Sequence, residues 1–254
     1  MSDDEQRAEQ VFLQVHEGLP RQGPGSQACT WRALDLVGPL PPSPRVLDIG
    51  CGPGMQTLDL AERLPTATIT AVDLLPGFVQ EARSRVLERG LSSRVDVQSG
   101  DMKALGFSPG SFDLIWCEGA AYIMGMRDAL QAWAPLLREQ GRVALTEVAW
   151  LGADRPAALE SFWREVYPPM TDIDGCTQHV TAAGLTPIDH FVLPGSAWWD
   201  DYYTPLEARV ESLTVELATD PVAGRVLQEY RDELAMYREH GSHYGYVFFV
   251  MKRS

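Results

Sequence analysis

At 254 residues and 45% hydrophobic content, the chain is long enough for one large α/β domain or two small ones. Its formal net charge of −14, with no Lys/Arg-rich cluster, repels a phosphate backbone and argues against nucleic-acid partners. Cys29, Cys51, Cys117 and Cys176 are scattered without a C-x-x-C pair, and no apolar run approaches the roughly 18 residues of a membrane span. With no basic and apolar leader pattern at the start, the reading is a cytoplasmic protein with free thiols and no membrane partner.

The first helical pattern covers 4–16, then comes a turn at Arg21-Gln22-Gly23-Pro24-Gly25, then a helix that starts near Ser26 and is closed by Gly38. Pro39, Pro41, Pro42 and Pro44 form a stiff connector into a buried strand, Val46-Leu47-Asp48-Ile49. That strand runs into Gly50-Cys51-Gly52-Pro53-Gly54 and then a helix over 58–64, so the glycines join a strand to a helix N-terminus, where backbone can approach a ligand closely. Alternation continues with a strand at 69–74, a helix at 78–89 capped by Gly90, strands at 95–99 and 112–117, a helix at 128–138 and a strand at 142–149 after Gly141. Such alternation predicts a parallel sheet with helices on both faces and ligand-binding loops at one edge.

The C-terminal third departs from this pattern. Helices are expected at 154–167 and 174–183 and strands at 185–193 and 244–252, with about fifty helical residues between the two strands. Thr204-x-x-Glu207 reads as a capping box with Pro205 at the first helical position, and Leu206, Val210, Leu213 and Leu217 share a face. Asp220-Pro221 starts a second helix, through Leu227, Tyr230, Leu234 and Tyr237 to Gly241.

The glycine spacing argues against a dinucleotide. G-x-G-x-x-G needs a third glycine where Met55 stands, and Pro53 lacks the N–H that a pyrophosphate cradle would use. With Asp48, Gly50, Gly52 and Gly54 in the pattern D/E-x-G-x-G-x-G, the chain instead resembles the class I S-adenosylmethionine-dependent methyltransferases. The turn at 21–26, Met55-Gln56-Thr57 and Trp116-x-Glu118-Gly119-Ala120-x-Tyr122 make it similar to bacterial small-molecule members of that group.

The resemblance implies an α/β fold: a Rossmann-like doubly wound sheet, mostly parallel, with an antiparallel C-terminal strand and helical lid elements at both ends. One domain over 1–254 is expected, with a helical cap at 1–44, a cofactor-binding core at 45–150 and a C-terminal part at 151–254 whose insertion lies near 204–240. It also implies S-adenosylmethionine as cofactor and S-adenosylhomocysteine as product. Asp48, Gly50, Cys51, Gly52, Gly54, Gln56 and Thr57 would form the first contact set. Asp73, 23 residues after Gly50, is placed to accept both ribose hydroxyls, with Leu74 beside the adenine or ribose edge. Gly100, Asp101 and Met102 would meet the adenine, and Glu118 and Gly119 would border the methionine part. The turn at 21–25 would fold over the cofactor, with Arg21 or Gln22 reaching its carboxylate.

On the acceptor side, Glu118, Tyr122 and Tyr203 are the candidate catalytic groups, with no metal. Glu118 reads equally as an acid complementing a helix dipole. Trp198-Trp199-Asp200-Asp201-Tyr202-Tyr203 suits either a lid over a small, partly apolar acceptor or a core corner pinning the insertion to the sheet. The expected function is methyl transfer by in-line displacement to a small-molecule acceptor, by a monomer or homodimer. The alternatives are a non-catalytic S-adenosylmethionine or S-adenosylhomocysteine-binding scaffold and an aminopropyl transferase on the same fold.

Overall fold

The structure, a computed structural model, describes residues 2–253. Helix α1 (Asp3–His16) opens on a capping box between Ser2 and Glu5, and α2 (Gln27–Val37) on the Ser26 side chain. Strand β1 (Arg45–Ile49) then leads through the glycines into α3 (Met55–Arg63). After these come β2 (Thr68–Asp73), α4 (Pro76–Glu88), β3 (Val95–Ser99), β4 (Phe112–Cys117), α5 (Met126–Trp133) and β5 (Leu137–Trp150). Next are α6 (Ala157–Val166), a two-residue strand β6 (Thr171–Asp172), α7 (Ile173–Ala182) and β7 (Leu185–Val192). The insertion comprises α8 (Gly195–Trp198), α9 (Thr204–Glu216) and α10 (Pro221–His240), and β8 (Tyr244–Arg253) returns to the sheet.

The sheet order is β3-β2-β1-β4-β5-β8-β7, with β6 paired to the end of β5. Pairings from β3 through β5 are parallel, and β8 runs antiparallel to both β5 and β7. This is the mostly parallel sheet with an antiparallel C-terminal strand that the alternation and the resemblance implied. The strands read as continuous apolar runs because both faces are covered: Val46, Leu114 and Phe248 face the layer holding α2 and α3, and Leu47, Ile115 and Phe249 face the layer of α5 and α7. Burying one such side chain contributes about 1.5 to 3 kcal/mol. A third apolar cluster joins α1, α9 and α10 to Val148 and Trp150 at the C-terminal end of β5, so the insertion is seated over the edge that carries the glycine loop.

Several boundaries differ from expectation. Helix α3 begins at Met55, because Gly54, in a left-handed conformation, occupies the N-cap. Helix α5 stops at Trp133, a 3₁₀ turn follows at Ala134–Leu136, and the chain is already in β5 at Leu137. Phe112 pairs with Leu137 and Leu114 with Arg142, so the extra residues bulge out around Gln140, whose φ is +61°. The Thr204 capping box is not formed. Tyr203 and Thr204 both have helical backbone, since α8 continues through a π-helical turn, Trp199–Tyr203, directly into α9. Glu207 instead accepts both its hydrogen bonds from Arg238 of α10, at 2.7 and 2.6 Å.

Candidate functional site

The glycine loop is fastened to the next strand before any ligand is considered. Gly50 and Cys51 both donate to the Val72 carbonyl, at 2.9 and 3.0 Å, and Gly52 N–H donates to Asp73 Oδ2 at 2.8 Å. Asp73 Oδ1 accepts from Leu75 N–H at 2.9 Å, so each carboxylate oxygen is oriented by backbone and keeps a second lone pair. Gly50 has φ +69°, and a Cβ there would lie 2.5 Å from the Ala120 Cβ, so only glycine fits between the loops after β1 and β4.

Beneath the loop, Asp48 is fully buried. Its Oδ2 accepts from the Thr57 hydroxyl at 2.5 Å, while Oδ1 has no partner among the described residues, and burial pushes its pKa up to about 7. Gln56 donates to the Cys51 carbonyl at 3.0 Å. A buried carboxylate oxygen without a donor fits the ammonium end of an amino-acid-bearing cofactor. At the rim, Leu74 is exposed and Gly100 N–H is tied to the Asp73 carbonyl at 2.9 Å. Asp101 is exposed, its Oδ1 accepting from Lys103 N–H, while Met102 packs with its methyl near Gly50. The predicted cofactor set is thus gathered from four strand ends onto one edge.

The segment 21–26 closes over this edge. Gln22 lies against Gly52, Gly23 touches Gly119 backbone to backbone, and Gly25 N–H donates to the Ala197 carbonyl of α8 at 2.9 Å. Arg21 does not extend toward the cofactor site; its guanidinium donates to Asp59 Oδ2 at 2.5 Å and to Glu118 Oε2 at 3.1 Å, all three side chains being about 95% buried. Glu118 Oε1 also accepts from the Thr30 hydroxyl at 2.7 Å and Trp116 Nε1 at 2.8 Å. Burial raises the pKa of Glu118 and Asp59, and Arg21 opposes it. Both carboxylate oxygens of Glu118 are therefore engaged in holding the N-terminal segment to β4.

The other two catalytic candidates part company. Tyr203 is buried within the aromatic corner, its hydroxyl donating to Glu233 Oε1 at 2.9 Å. Trp198 stacks on Tyr237 at 4.0 Å between centroids and on Tyr246 of β8 at 5.3 Å, so these rings form the core that pins the insertion to the sheet. Asp200 is exposed outside that corner. Tyr122, in the 3₁₀ turn Ala121–Ile123 after β4, keeps 43% of its surface exposed and meets Tyr167 edge to face at 6.2 Å.

Two residues that sequence reasoning missed lie on this side. Glu147, near the end of β5, is 98% buried; its Oε1 accepts from Val148 N–H at 3.0 Å, its Oε2 has no partner among the described residues, and burial pushes its pKa up to about 8. Glu233 of α10 is likewise raised by burial, and both carboxylates act on Tyr122. The polar pair Thr146-Glu147 inside the apolar run 143–150 was the available signal for the first. His16 joins the two halves: its Nδ1–H donates to Gln22 Oε1 and its Nε2 accepts from the Tyr230 hydroxyl at 2.9 Å. Burial lowers its pKa to about 4, so the ring is neutral. Among the described residues no helix is long and apolar enough to cross a membrane.

A family model described as a methyltransferase domain matches residues 46–141, from β1 to the bulge in β5. Nocamycin O-methyltransferase of Saccharothrix syringae is 38% identical over 117 residues, covering 45% of this chain and 41% of that one. The chain spans about half the length of the curated relatives it matches first. Among solved structures, YjhP from E. coli superposes with a TM-score of 0.82 at 19% identity, covering 96% of this chain and 100% of that one. An S-adenosylmethionine-dependent methyltransferase from Geobacter sulfurreducens, in complex with S-adenosyl-L-homocysteine, gives 0.81 at 20% identity, covering 96% and 98%. At these identities the structural likeness is one of fold.

Proposed function

We propose that the chain, which matches a methyltransferase domain over residues 46–141, is a class I S-adenosylmethionine-dependent methyltransferase that binds S-adenosylmethionine and transfers its methyl group by in-line displacement to a small-molecule acceptor. The observation that carries this reading is the cradle at the strand ends: Asp73 oriented by Gly52 and Leu75, above the free oxygen of Asp48. The cofactor supplies an electrophilic methyl on a sulfonium and leaves as a thioether. The protein's part is to position the acceptor and exclude water, which in well-oriented systems lowers a barrier by roughly 7 to 11 kcal/mol. In this reading Asp73 holds the ribose, Asp48 the ammonium group, Gln22 and Gly119 border the methionine part, and Met102 packs on the adenine. Tyr122 orients the acceptor, whereas Glu118 and Tyr203 act as positioning residues, through Arg21 and through Glu233. The chain's net charge of −14 supports an acceptor other than nucleic acid, and the absence of a spanning helix among the described residues fits a cytoplasmic setting.

Calorimetric titration with S-adenosylmethionine, S-adenosylhomocysteine and NADH tests the reading. The first two should bind with micromolar affinity, and Asp73→Ala should weaken them at least about tenfold, or 1.4 kcal/mol. Preference for NADH, or an unchanged affinity in the variant, would overturn it.

Proton linkage gives a second expectation. Asp48, with a pKa of about 7 in the free protein, is driven to its charged form by a neighbouring ammonium. Cofactor binding should therefore release close to one proton at about pH 6, where the free carboxyl is protonated, and almost none at about pH 8, where it is already ionised. Titrations in buffers of different ionisation enthalpy measure this, and Asp48→Asn should abolish the release. A release that persists in the variant would assign the proton elsewhere.

A further inference from the structure

A cleft of about 300 Å³ opens beside the end of β5, between the start of α5 and the segment 167–179. Its walls include Met124, Met126, Tyr167 and Cys176, and Glu147 is at its floor. Polarizable sulfurs beside an aromatic ring make a surface suited to a flat aromatic body. The cleft adjoins the turn after β4, because Met124 and Gly125, which follow the 3₁₀ turn Ala121–Ile123, line it.

Glu147 is the unusual group here. It is buried with Oε2 unpartnered and with no cation paired to it among the described residues; Oε1 accepts from Val148 N–H at 3.0 Å, and the Tyr167 side chain lies close enough to feel its charge. A buried acid in this state meets its hydrogen-bonding needs only when a ligand brings a donor. A cleft walled by Met124, Met126, Cys176 and Tyr167, in which buried Glu147 offers an unpartnered oxygen, selects a hydroxyl on an aromatic ring over a highly solvated cation.

Resting on the methyl-transfer reading above, we infer that this cleft is the acceptor site, that it takes a phenol-type hydroxyl on an aromatic ring, and that Glu147 receives the hydroxyl proton on Oε2. In that step the O–H bond of the acceptor breaks, a Glu147 Oε2–H bond forms, and the negative charge moves from the carboxylate to the acceptor oxygen. Tyr167, facing the same carboxyl and stacked edge to face with Tyr122, holds Glu147 in place.

The groups around Glu147 stay protonated while it titrates. Cys117, Cys176, Tyr122, Tyr167 and Tyr246 are all pushed upward by burial and by the Glu147 charge. The charged side chains on the cleft, Arg127 and Asp128, are exposed at its mouth, and His179 is half-buried.

The probe is 4-nitrophenol, titrated into the full chain saturated with S-adenosylhomocysteine at about pH 9, where the free phenol and the Glu147 carboxyl are both largely ionised. Two adjacent anions in a buried cleft share one proton, so binding to the wild type should take up close to one proton, held on Glu147, while the bound probe keeps the absorbance of the phenolate. Glu147→Gln should bind the phenolate without uptake, with S-adenosylhomocysteine affinity unchanged within about twofold. Equal uptake in both proteins, or no saturable phenol binding to the wild type, overturns the assignment. Failure of S-adenosylhomocysteine itself to bind overturns the methyl-transfer reading, and this one with it.

Discussion

Arg21→Ala should destabilise the folded chain by about 3 to 5 kcal/mol, the range found when one member of a buried ion pair is removed. Arg21 is the cation shared by Asp59 and Glu118, at 2.5 and 3.1 Å, and without it two buried carboxyls face each other. The loss should depend on pH with a definite sign. Burial already raises both acids, and removing Arg21 raises them further. Between the unfolded carboxyl range and those raised values the folded variant binds more protons than the unfolded chain, so its stability falls as pH rises. The gap between variant and wild type is therefore wider at about pH 8 than at about pH 5, where protonation relieves the repulsion. Urea unfolding at the two pH values measures it, and Arg21→Lys, which places a point charge where a fork spanned two acids, should recover only part. An equal loss at both pH values would mean that packing, and not the charge triad, holds the N-terminal segment down.

Gly50→Ala should be nearly as costly and should also abolish cofactor binding. A left-handed backbone costs a non-glycine residue roughly 1 to 2 kcal/mol, and forcing a methyl into a filled space adds about 1 to 3. Here the added carbon would meet the Ala120 Cβ at 2.5 Å. Separating these contributions calls for the double variant Gly50→Ala/Ala120→Gly. It removes the collision and leaves the backbone strain, so it should regain about 1 to 3 kcal/mol relative to the single change. Thermal unfolding and S-adenosylhomocysteine titration read both effects. A single variant as stable and as competent as the wild type would show that the loops after β1 and β4 are not in contact in solution.

These two sites mark the boundary between what the sequence disclosed and what it withheld. The Asp48 to Gly54 run is local: strand, turn and helix start are all encoded within ten residues, and the loop falls where the pattern put it. The sheet was legible for the same reason, since each βα unit announces itself by a buried apolar run and a helical period. Arg21 reads in the sequence as a turn residue reaching for the cofactor carboxylate, and its true partners escape notice because they are 38 and 97 positions away and no spacing rule links them. Thr204 misled because a cap sequence has meaning only where a helix begins, and a π-helical turn carries the preceding helix through it. Gly141 misled because the helix had already ended near Pro135, leaving the glycine to a bulge inside a strand. Glu147 and Glu233 acquired their significance from burial beside tyrosines drawn from distant elements, which composition does not reveal.

The place of β8 in the sheet also governs how the chain reaches its fold. Arg142 pairs with Lys252, and Trp150 with Tyr244, so β8 is an interior strand flanked by β5 and β7. During synthesis, β1 to β5 leave the ribosome well before residues 244–253, and throughout that interval β5 presents an unpaired edge. The nascent chain therefore carries an open template for strand addition until its last strand is made, and Val247, Phe248 and Phe249 are the residues that finally cover it. A chain arrested before Tyr244 keeps that edge open and would be expected to aggregate rather than fold.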